Sequence, residues 1–167
     1  MASDSELLQT FRFTVHLTRS DQGATGATLG DGGFSECSGL ELEADVKEYL
    51  EGGRNDGVVR RVGRAKLSPI VLKRGMFRQG SAGDGRADTA LWDWITGMVS
   101  GVLPIPRYNG QIQLKDPADK RVLATWTFER GLPSKVSGPA LNAKTGEIAV
   151  EELQILHEGL RLGGPGT

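Results

Sequence analysis

Strict alternation of apolar and polar residues is the feature that most constrains the fold of this chain. In FRFTVHL, residues 11–17, and in LELEADV, residues 40–46, every second residue is apolar. The apolar positions are Phe11, Phe13, Val15 and Leu17 in the first segment and Leu40, Leu42, Ala44 and Val46 in the second. A period of two puts such residues on one face of a β-strand. Both segments are therefore predicted to be half-buried strands, and the second has one dry side and one charged side.

Other segments indicate further short strands joined by turns. LSPIVLKRG, residues 67–75, predicts a strand in which Pro69 favours an edge position or a bulge. The segment 111–130 predicts a hairpin that turns at residues 116–119, Asp-Pro-Ala-Asp. The glycine-rich segment 18–33 is predicted to be an exposed, mobile loop, and RNDGVVRRVGRAK, residues 54–66, a basic connection.

One segment predicts a helix, at about residues 88–100. It has a wide apolar stripe, with Asp88 as a candidate N-cap and Gly101 as the residue that ends it. The stripe comprises Leu91, Trp94, Ile95, Met98 and Val99. The predicted fold class is therefore mainly β, a barrel-like pair of antiparallel sheets with one flanking α-helix.

The length of 167 residues suits one domain. We expect a flexible N-terminal arm at residues 1–9, a single domain at 10–162 and a disordered tail at 163–167. The charges nearly cancel, since 20 Lys and Arg against 21 Asp and Glu give a net charge of −1. We therefore expect no bulk attraction to nucleic acid or to an anionic membrane. No apolar run approaches the roughly 20 residues that span a bilayer, and no Sec-type export signal is visible.

The segment GPALNAKTGEIAVEELQILHEGL, residues 138–160, fits two structures. Val150, Leu153, Leu156 and Leu160 recur at steps of three and four residues, which is typical of an amphipathic helix. Ile148 and Val150, followed by Leu153 and Ile155, instead fit a strand with a bulge at Glu151 and Glu152. Periodicity alone leaves both structures open.

The sequence indicates no catalytic or cofactor site. His16 and His157 are the only histidines and Cys37 is the only cysteine, and no signature places them together. His157 and Glu158 are adjacent, a spacing that does not suit a pair of metal ligands. The glycine runs lack the Lys-Ser/Thr of a phosphate-binding loop. We therefore predict that the chain is not an enzyme and has no cofactor and no metal.

Charge is segregated between two neighbouring segments. Residues 36–51 carry six acidic residues and one lysine, whereas residues 54–66 carry Arg54, Arg60, Arg61, Arg64 and Lys66 against Asp56. Both segments can simply be solvated. Alternatively, the basic segment of one copy meets the acidic segment of the next copy and so forms rings or filaments.

Four separated blocks resemble the tail tube protein family of contractile phages and phage-derived contractile injection systems. They are GGFSECSGLELEADVKEYLEGGRND, IVLKRG, LWDW and SGPALNAKTGEIAVEELQILHEGL, and the similarity runs from about Phe11 to Leu162. The resemblance implies hexameric rings that stack into a hollow tube inside a contractile sheath, and a fold related to the ring protein of type VI secretion. It also implies that residues 138–160 form the bulged strand.

The resemblance gives the charged segments candidate roles. Glu41, Glu43 and Asp45 become candidates to face the lumen, and Arg54, Arg60, Arg61, Arg64 and Lys66 become candidates for contacts between subunits. The implied partners are further copies of the chain, a sheath protein, baseplate and spike proteins, and cargo in the lumen. The implied place is a particle assembled in the cytoplasm of the producing cell and then released. Two other functions stay open, an initiator or hub ring that joins the tube to the spike and an autonomous binding module or enzyme on a small barrel.

Overall fold

The computed structural model describes residues 8–10, 12–23, 28–29, 33–50, 52–53, 57–78, 86–118 and 121–163. Within these ranges the chain forms nine strands and one helix. The strands are β1 (Phe13–Arg19), β2 (Phe34–Ser38), β3 (Leu42–Tyr49), β4 (Val59–Leu67), β5 (Ile70–Gly75), β6 (Tyr108–Lys115), β7 (Val122–Ser137), β8 (Val150–Leu156) and β9 (Gly159–Gly163). The helix, α1, is Ala90–Val99 and lies between β5 and β6 in the chain.

Seven strands form one antiparallel sheet in the order β1-β6-β7-β8-β5-β2, with β9 also paired to β7. The long strand β7 belongs to both halves of this sheet, because its first part pairs with β6 and β9 and its last part pairs with β8. Arg130, at the register shift between β6 and β7 just before the second part begins, has a positive φ of 53°. The outer strands β1 and β2 approach each other without forming a ladder. The predicted fold class, mainly antiparallel β with a barrel-like arrangement and one helix, is confirmed.

Both halves of the sheet contribute to one core, and α1 covers it. Phe128 of β7 is fully buried at its centre, and Trp94 of α1 packs edge-on against Tyr108 with ring centroids 4.8 Å apart. The other members of the core include Leu17, Ile70, Leu72, Leu91, Ile112, Leu153 and Ile155. The predicted β6–β7 hairpin is confirmed by its register, for example Ile112 opposite Trp126.

The helix has the predicted end but a different first residue. Asp88 accepts a hydrogen bond from the Ala90 amide at 3.0 Å, although the N-cap position itself is Thr89. At the other end the Gly101 amide donates to Met98 and the Val102 amide to Gly97, which is the Schellman pattern of helix termination. Gly101 therefore ends the helix as predicted. Val99, the last residue of the apolar stripe, is 78% exposed and therefore does not pack in the core.

The C-terminal segment is a strand, but the predicted bulge at Glu151 and Glu152 is wrong. Strand β8 pairs with β5 without interruption from Val150 to Ile155, so alternate side chains keep the same face throughout. Glu151 therefore points inward with Leu153 and Ile155 and is 1% exposed. The break in the alternation at Glu151 and Glu152 therefore comes from a buried charged residue in a regular strand, not from a bulge. The strand also ends at Leu156, and β9 begins after a break at His157 and Glu158.

Three further predictions need correction. Strand β5 lies between β8 and β2 rather than at an edge, and Pro69 precedes it. The basic connection at residues 54–66 contains strand β4, which pairs with β3. The predicted loop at 18–33 contains Leu29, which is buried and donates its amide to Leu17 at 3.0 Å.

The ends of the chain fall mostly outside the described residues. Residues 1–7 of the predicted arm and 164–167 of the predicted tail are not among them, and neither is Phe11 of the first alternating segment. Gly163, placed in the tail, is the last residue of β9. Among the described residues, no helix combines the length and the apolar character that crossing a membrane needs.

Candidate assembly interface

Strands β3 and β4 form a two-stranded hairpin that, within the described residues, shares no ladder with the seven-stranded sheet. Residues directly opposite in an antiparallel pair lie on the same face. On one face, Leu42 lies opposite Leu67, Ala44 opposite Ala65, and Val46 opposite Val62. Leu42 is 66% exposed, Val46 52% and Val62 78%. The predicted apolar side of β3 is therefore mostly exposed within the described part of the chain, and we call it the apolar hairpin face.

The opposite face of the hairpin is charged. The Lys66 ammonium lies 3.3 Å from the Glu43 carboxylate, and Lys47 lies opposite Arg61. The Arg61 guanidinium carbon is 5.3 Å from the centre of the Tyr49 ring, within the range of a cation–π interaction. Acidic and basic side chains thus share this charged hairpin face.

The charge segregation seen in the sequence corresponds to the two strands of one hairpin. Glu43 and Lys66 form one ion pair between the two strands. A second lies at the outer end of the apolar hairpin face, where Arg60 donates to Glu48 at 3.1 Å. Both pairs are more than half exposed, and exposed pairs contribute only about 0–1 kcal/mol. Exchanging these partners for charges on a second copy would therefore cost little.

The remaining sequence candidates have separate positions. Arg54 lies outside the described residues, and Arg64 is exposed in β4 beside a register shift opposite Asp45. Asp45 itself is half-buried. Glu41 precedes β3 and accepts a hydrogen bond from the Ser68 hydroxyl at 3.1 Å. Glu43 and Asp45 are thus in β3, whereas Glu41 is at the root of the hairpin.

The histidines and the cysteine lie in different settings. His16 is exposed on β1, whereas His157 is buried and its Nε2 lies 3.1 Å from the Ser68 carbonyl oxygen. Burial raises the pKa of the Cys37 thiol to about 11, so this thiol is protonated at neutral pH. Within the described ranges, no group of three or more His, Cys, Asp or Glu residues is placed to hold a metal ion.

Strand β4, and with it Val62, was missed by sequence reasoning. Arginines occupy positions on both sides of Val62, so VRRVGRAKL shows no clean alternation. The signal that could have found it is the turn-rich segment EGGRNDG between two runs with β-branched residues, which is typical of a hairpin. Arg74 and Glu151 were also missed, although in IVLKRG Arg74 follows Ile70 and Leu72 at a period of two.

Comparison with known families identifies the family of this chain. Residues 9–161 match the profile of the family described as T4-like virus tail tube protein gp19. The chain belongs to this tail tube family. The matched region includes the hairpin and every strand of the seven-stranded sheet except the last two residues of β9. A search of curated proteins found no match.

Solved structures with the same fold come from contractile injection systems. A chain of the PVC sheath-tube complex in the extended state is 21% identical, with a TM-score of 0.73 over 96% of this tail tube protein and 94% of that chain. A chain of the anti-feeding prophage tube terminating cap is 21% identical, with a TM-score of 0.75 over 98% and 95%. A chain of the anti-feeding prophage baseplate is 18% identical, with a TM-score of 0.75 over 98% and 99%. At these identities the likeness establishes the fold.

Proposed function

We propose that this tail tube protein forms the inner tube of a contractile injection particle. Copies of the chain assemble into hexameric rings, the rings stack around a central channel, and a contractile sheath surrounds the stack. Membership of the tail tube family supports a role as a tube subunit. The fold shared with chains of sheath-tube, cap and baseplate complexes supports a role in such a particle.

The observation that carries this proposal is the exposure of the apolar hairpin face. Leu42, Val46 and Val62 expose more than half of their surface on one side of a hairpin that no second layer covers in the described part of the chain. Burying an apolar side chain of this size contributes about 1.5–3 kcal/mol. Two-stranded hairpins are marginally stable in water by themselves. A second copy that covers this face would stabilise both the hairpin and the contact.

In this proposal, the charged residues determine how neighbouring copies are oriented. Arg60, Arg61, Arg64 and Lys66 meet acidic residues of a neighbouring copy. Arg54, the fifth candidate for this contact, lies outside the described residues. Glu41, Glu43 and Asp45 face the channel. Because Lys66 lies 3.3 Å from Glu43, and Lys47 and Arg61 share its face, the charged hairpin face is mixed rather than uniformly acidic. The structure of an assembled tube tests this assignment directly, since these side chains then either line the channel or do not.

The particle as a whole gives the protein its partners and location. The proposed partners are the sheath protein, the baseplate and spike proteins, and cargo carried in the lumen. The tube assembles in the cytoplasm of the producing cell and leaves with the particle. No catalytic step is assigned to the chain, and its role is structural.

Electron microscopy of the purified protein tests the proposal. Sedimentation velocity over a wide concentration range should show a ring-sized species, and micrographs should show rings and tubes with a central channel. A strictly monomeric protein at every concentration, together with the absence of this chain from tubes in native particles, would contradict it.

A second candidate function is a ring at one end of the tube. The fold matches chains of the baseplate and cap complexes as closely as it matches the sheath-tube complex. Quantitative mass spectrometry of native particles separates the two functions. A main tube subunit is present in copy numbers that scale with particle length, whereas an initiator or terminal ring has a fixed small number.

A further inference from the structure

The hairpin joins the body of the protein through a short unpaired joint. The ladder between β2 and β5 ends where Ser38 lies opposite Val71, and the hairpin ladder begins where Leu42 lies opposite Leu67. Residues 39–41 on one side and 68–69 on the other belong to neither ladder. A joint without ladder hydrogen bonds would ordinarily open easily and let the hairpin swing.

Close packing restrains the first side of this joint. Gly39 has a φ of 81°, and a Cβ at this position would overlap the carbonyl oxygen of Pro69 and lie 3.2 Å from the Ile70 Cα. The two sides of the joint therefore touch backbone to backbone, an approach that only glycine allows. Leu40, the next residue, packs against the core.

Hydrogen bonds restrain both sides. The Glu41 amide donates to the Gly39 carbonyl at 2.9 Å, and the Ser68 hydroxyl donates to the Glu41 carboxylate at 3.1 Å. The Ser68 carbonyl accepts a hydrogen bond from His157 Nε2 at 3.1 Å. The second side of the joint is thereby attached to the segment between β8 and β9.

His157 connects this bond to the core. It is 9% exposed, and its ring centre lies 5.8 Å from that of Phe128, which is fully buried. Since the Ser68 carbonyl can only accept, Nε2 carries the proton, and Nδ1 has no partner in the described part of the chain. A buried polar atom without a partner is destabilising. The unpartnered Nδ1 therefore lowers stability at the same histidine whose Nε2 holds the root of the hairpin.

We propose that His157 and Gly39 are positioning residues that fix the angle at which the hairpin leaves the body. This inference rests on the proposed function for its consequence, because the angle determines where the apolar hairpin face meets a second copy. The eight residues of β3 span about 26 Å at about 3.3 Å per residue. An error of roughly 10° at the root therefore moves the tip by about 4–5 Å, close to the spacing of neighbouring strands.

Pulsed electron paramagnetic resonance on the isolated chain measures this angle. Nitroxide labels are placed at Lys47→Cys on the hairpin and Thr96→Cys on the exposed side of α1, with Cys37→Ala to remove the native thiol. We expect one narrow distance for the otherwise unsubstituted chain. His157→Leu should lose that narrow distance, because leucine cannot donate to the Ser68 carbonyl. His157→Gln should keep it, since the glutamine amide can donate from a similar position.

Matched controls separate the joint from general effects of substitution. His16→Leu removes the other histidine, which is exposed on β1, and should leave the narrow distance unchanged. Gly39→Ala should lose the narrow distance, whereas Gly23→Ala should keep it. Gly23 also has a positive φ, 65°, but a Cβ there meets nothing within 4 Å. If His157→Leu does not fold, the Gly39 and Gly23 pair decides the question by itself.

The outcomes for the joint and for the tube are distinguishable. A broad distance in the otherwise unsubstituted chain, or a narrow one in both His157→Leu and Gly39→Ala, overturns the proposed joint whether or not tubes form. If the unlabelled chain forms no tubes, the proposed function fails while the distances still decide the joint. If His157→Leu has a broad distance and assembles tubes as long as those of the unsubstituted chain, the link between angle and assembly is wrong.

Discussion

Arg74 and Glu151 lie directly opposite each other on β5 and β8, and Arg74 Nε donates to Glu151 Oε1 at 2.6 Å. Both residues are 1% exposed. Glu151 also accepts from the Trp92 indole at 3.1 Å, and Arg74 donates to Asp88 at 2.9 Å. Two strands and the start of α1 are therefore tied to one buried charge pair. A shift of register between β5 and β8 would leave these charges buried without partners, so the pair favours a single register.

The first prediction concerns this buried pair. Replacing Glu151 with alanine should lower the free energy of unfolding by about 3–5 kcal/mol, because it removes one partner of a buried charge pair. Glu152→Ala is the matched control. Glu152 is the adjacent carboxylate on the other face, where it accepts from Gln154 at 3.1 Å, and its loss should change stability by less than about 1 kcal/mol. Urea unfolding of both variants measures the difference, and equal losses would contradict the prediction.

The second prediction concerns the packing of β6 against Phe128. A Cβ at Gly110 would overlap the Phe128 ring, which is fully buried and cannot move aside freely. Gly110→Ala should therefore destabilise the protein by at least about 1–3 kcal/mol, the usual cost of overpacking a core. At Gly146 a Cβ meets nothing within 4 Å, so Gly146→Ala serves as the control. Thermal unfolding of the two variants should show a lower midpoint for Gly110→Ala alone.

The third prediction concerns the reactivity of Cys37. Burial raises its thiol pKa from 9.0 to about 11, so about one molecule in a thousand carries the thiolate at pH 8. Alkylation by iodoacetamide at pH 8 should be slow in the folded protein and should reach the ordinary rate in urea. A Thr96→Cys, Cys37→Ala variant, whose cysteine is exposed on α1, provides the folded control. Equal alkylation rates for the two folded proteins would contradict burial of the thiol.

The same pKa shift gives the pH dependence of stability a sign. The unfolded chain loses the thiol proton near pH 9 and the folded chain near pH 11, so the folded state holds the proton more tightly. The contribution of this group is therefore constant below pH 9 and declines as the pH rises from 9 to about 11. Urea midpoints of the parent and of Cys37→Ala, measured across this range, should diverge. A constant difference between them would mean that the thiol pKa is the same in both states.

The fourth prediction concerns the apolar hairpin face. Val62→Thr should weaken assembly, because a hydroxyl enters the surface that we propose a second copy covers, while the monomer remains nearly as stable. Val99→Thr is a closely matched control, since both valines are 78% exposed and Val99 lies at the end of α1. Tube length in micrographs and the sedimentation profile provide the measurements. Tubes of equal length in both variants would show that this face is not an interface.

The fifth prediction separates contacts within one hairpin from contacts between copies. Arg60→Glu places a carboxylate opposite Glu48. It should shorten tubes whether Arg60 acts within its own hairpin or on a neighbouring copy. The exchange Arg60→Glu with Glu48→Arg restores the pair within the hairpin but reverses both charges toward a neighbour. If the charges act between copies, tubes stay short in the double variant. Recovery of wild-type length would mean that the pair acts only within its own hairpin.

Sequence patterns alone determined several local structures correctly. The alternation around Val15, the pairing of β6 with β7 as a hairpin and the end of the helix at Gly101 all depend on neighbours close in the chain. Such features follow from backbone preferences and from which face of one element is apolar. The four quoted motifs also indicated the tail tube family.

Only the tertiary structure decided the features that depend on distant partners. Glu151 is buried in a regular strand because Arg74, 77 residues away in the chain, lies opposite it, and no local pattern distinguishes that carboxylate from a solvated one. Strand β4 lacked a clean alternation because both of its faces are exposed in the single chain, so burial imposes no period of two on its arginines. The angle of the hairpin likewise depends on Gly39 meeting Pro69 and on His157 reaching Ser68. Local sequence sets which face of an element is apolar, whereas contacts between distant segments decide what covers that face.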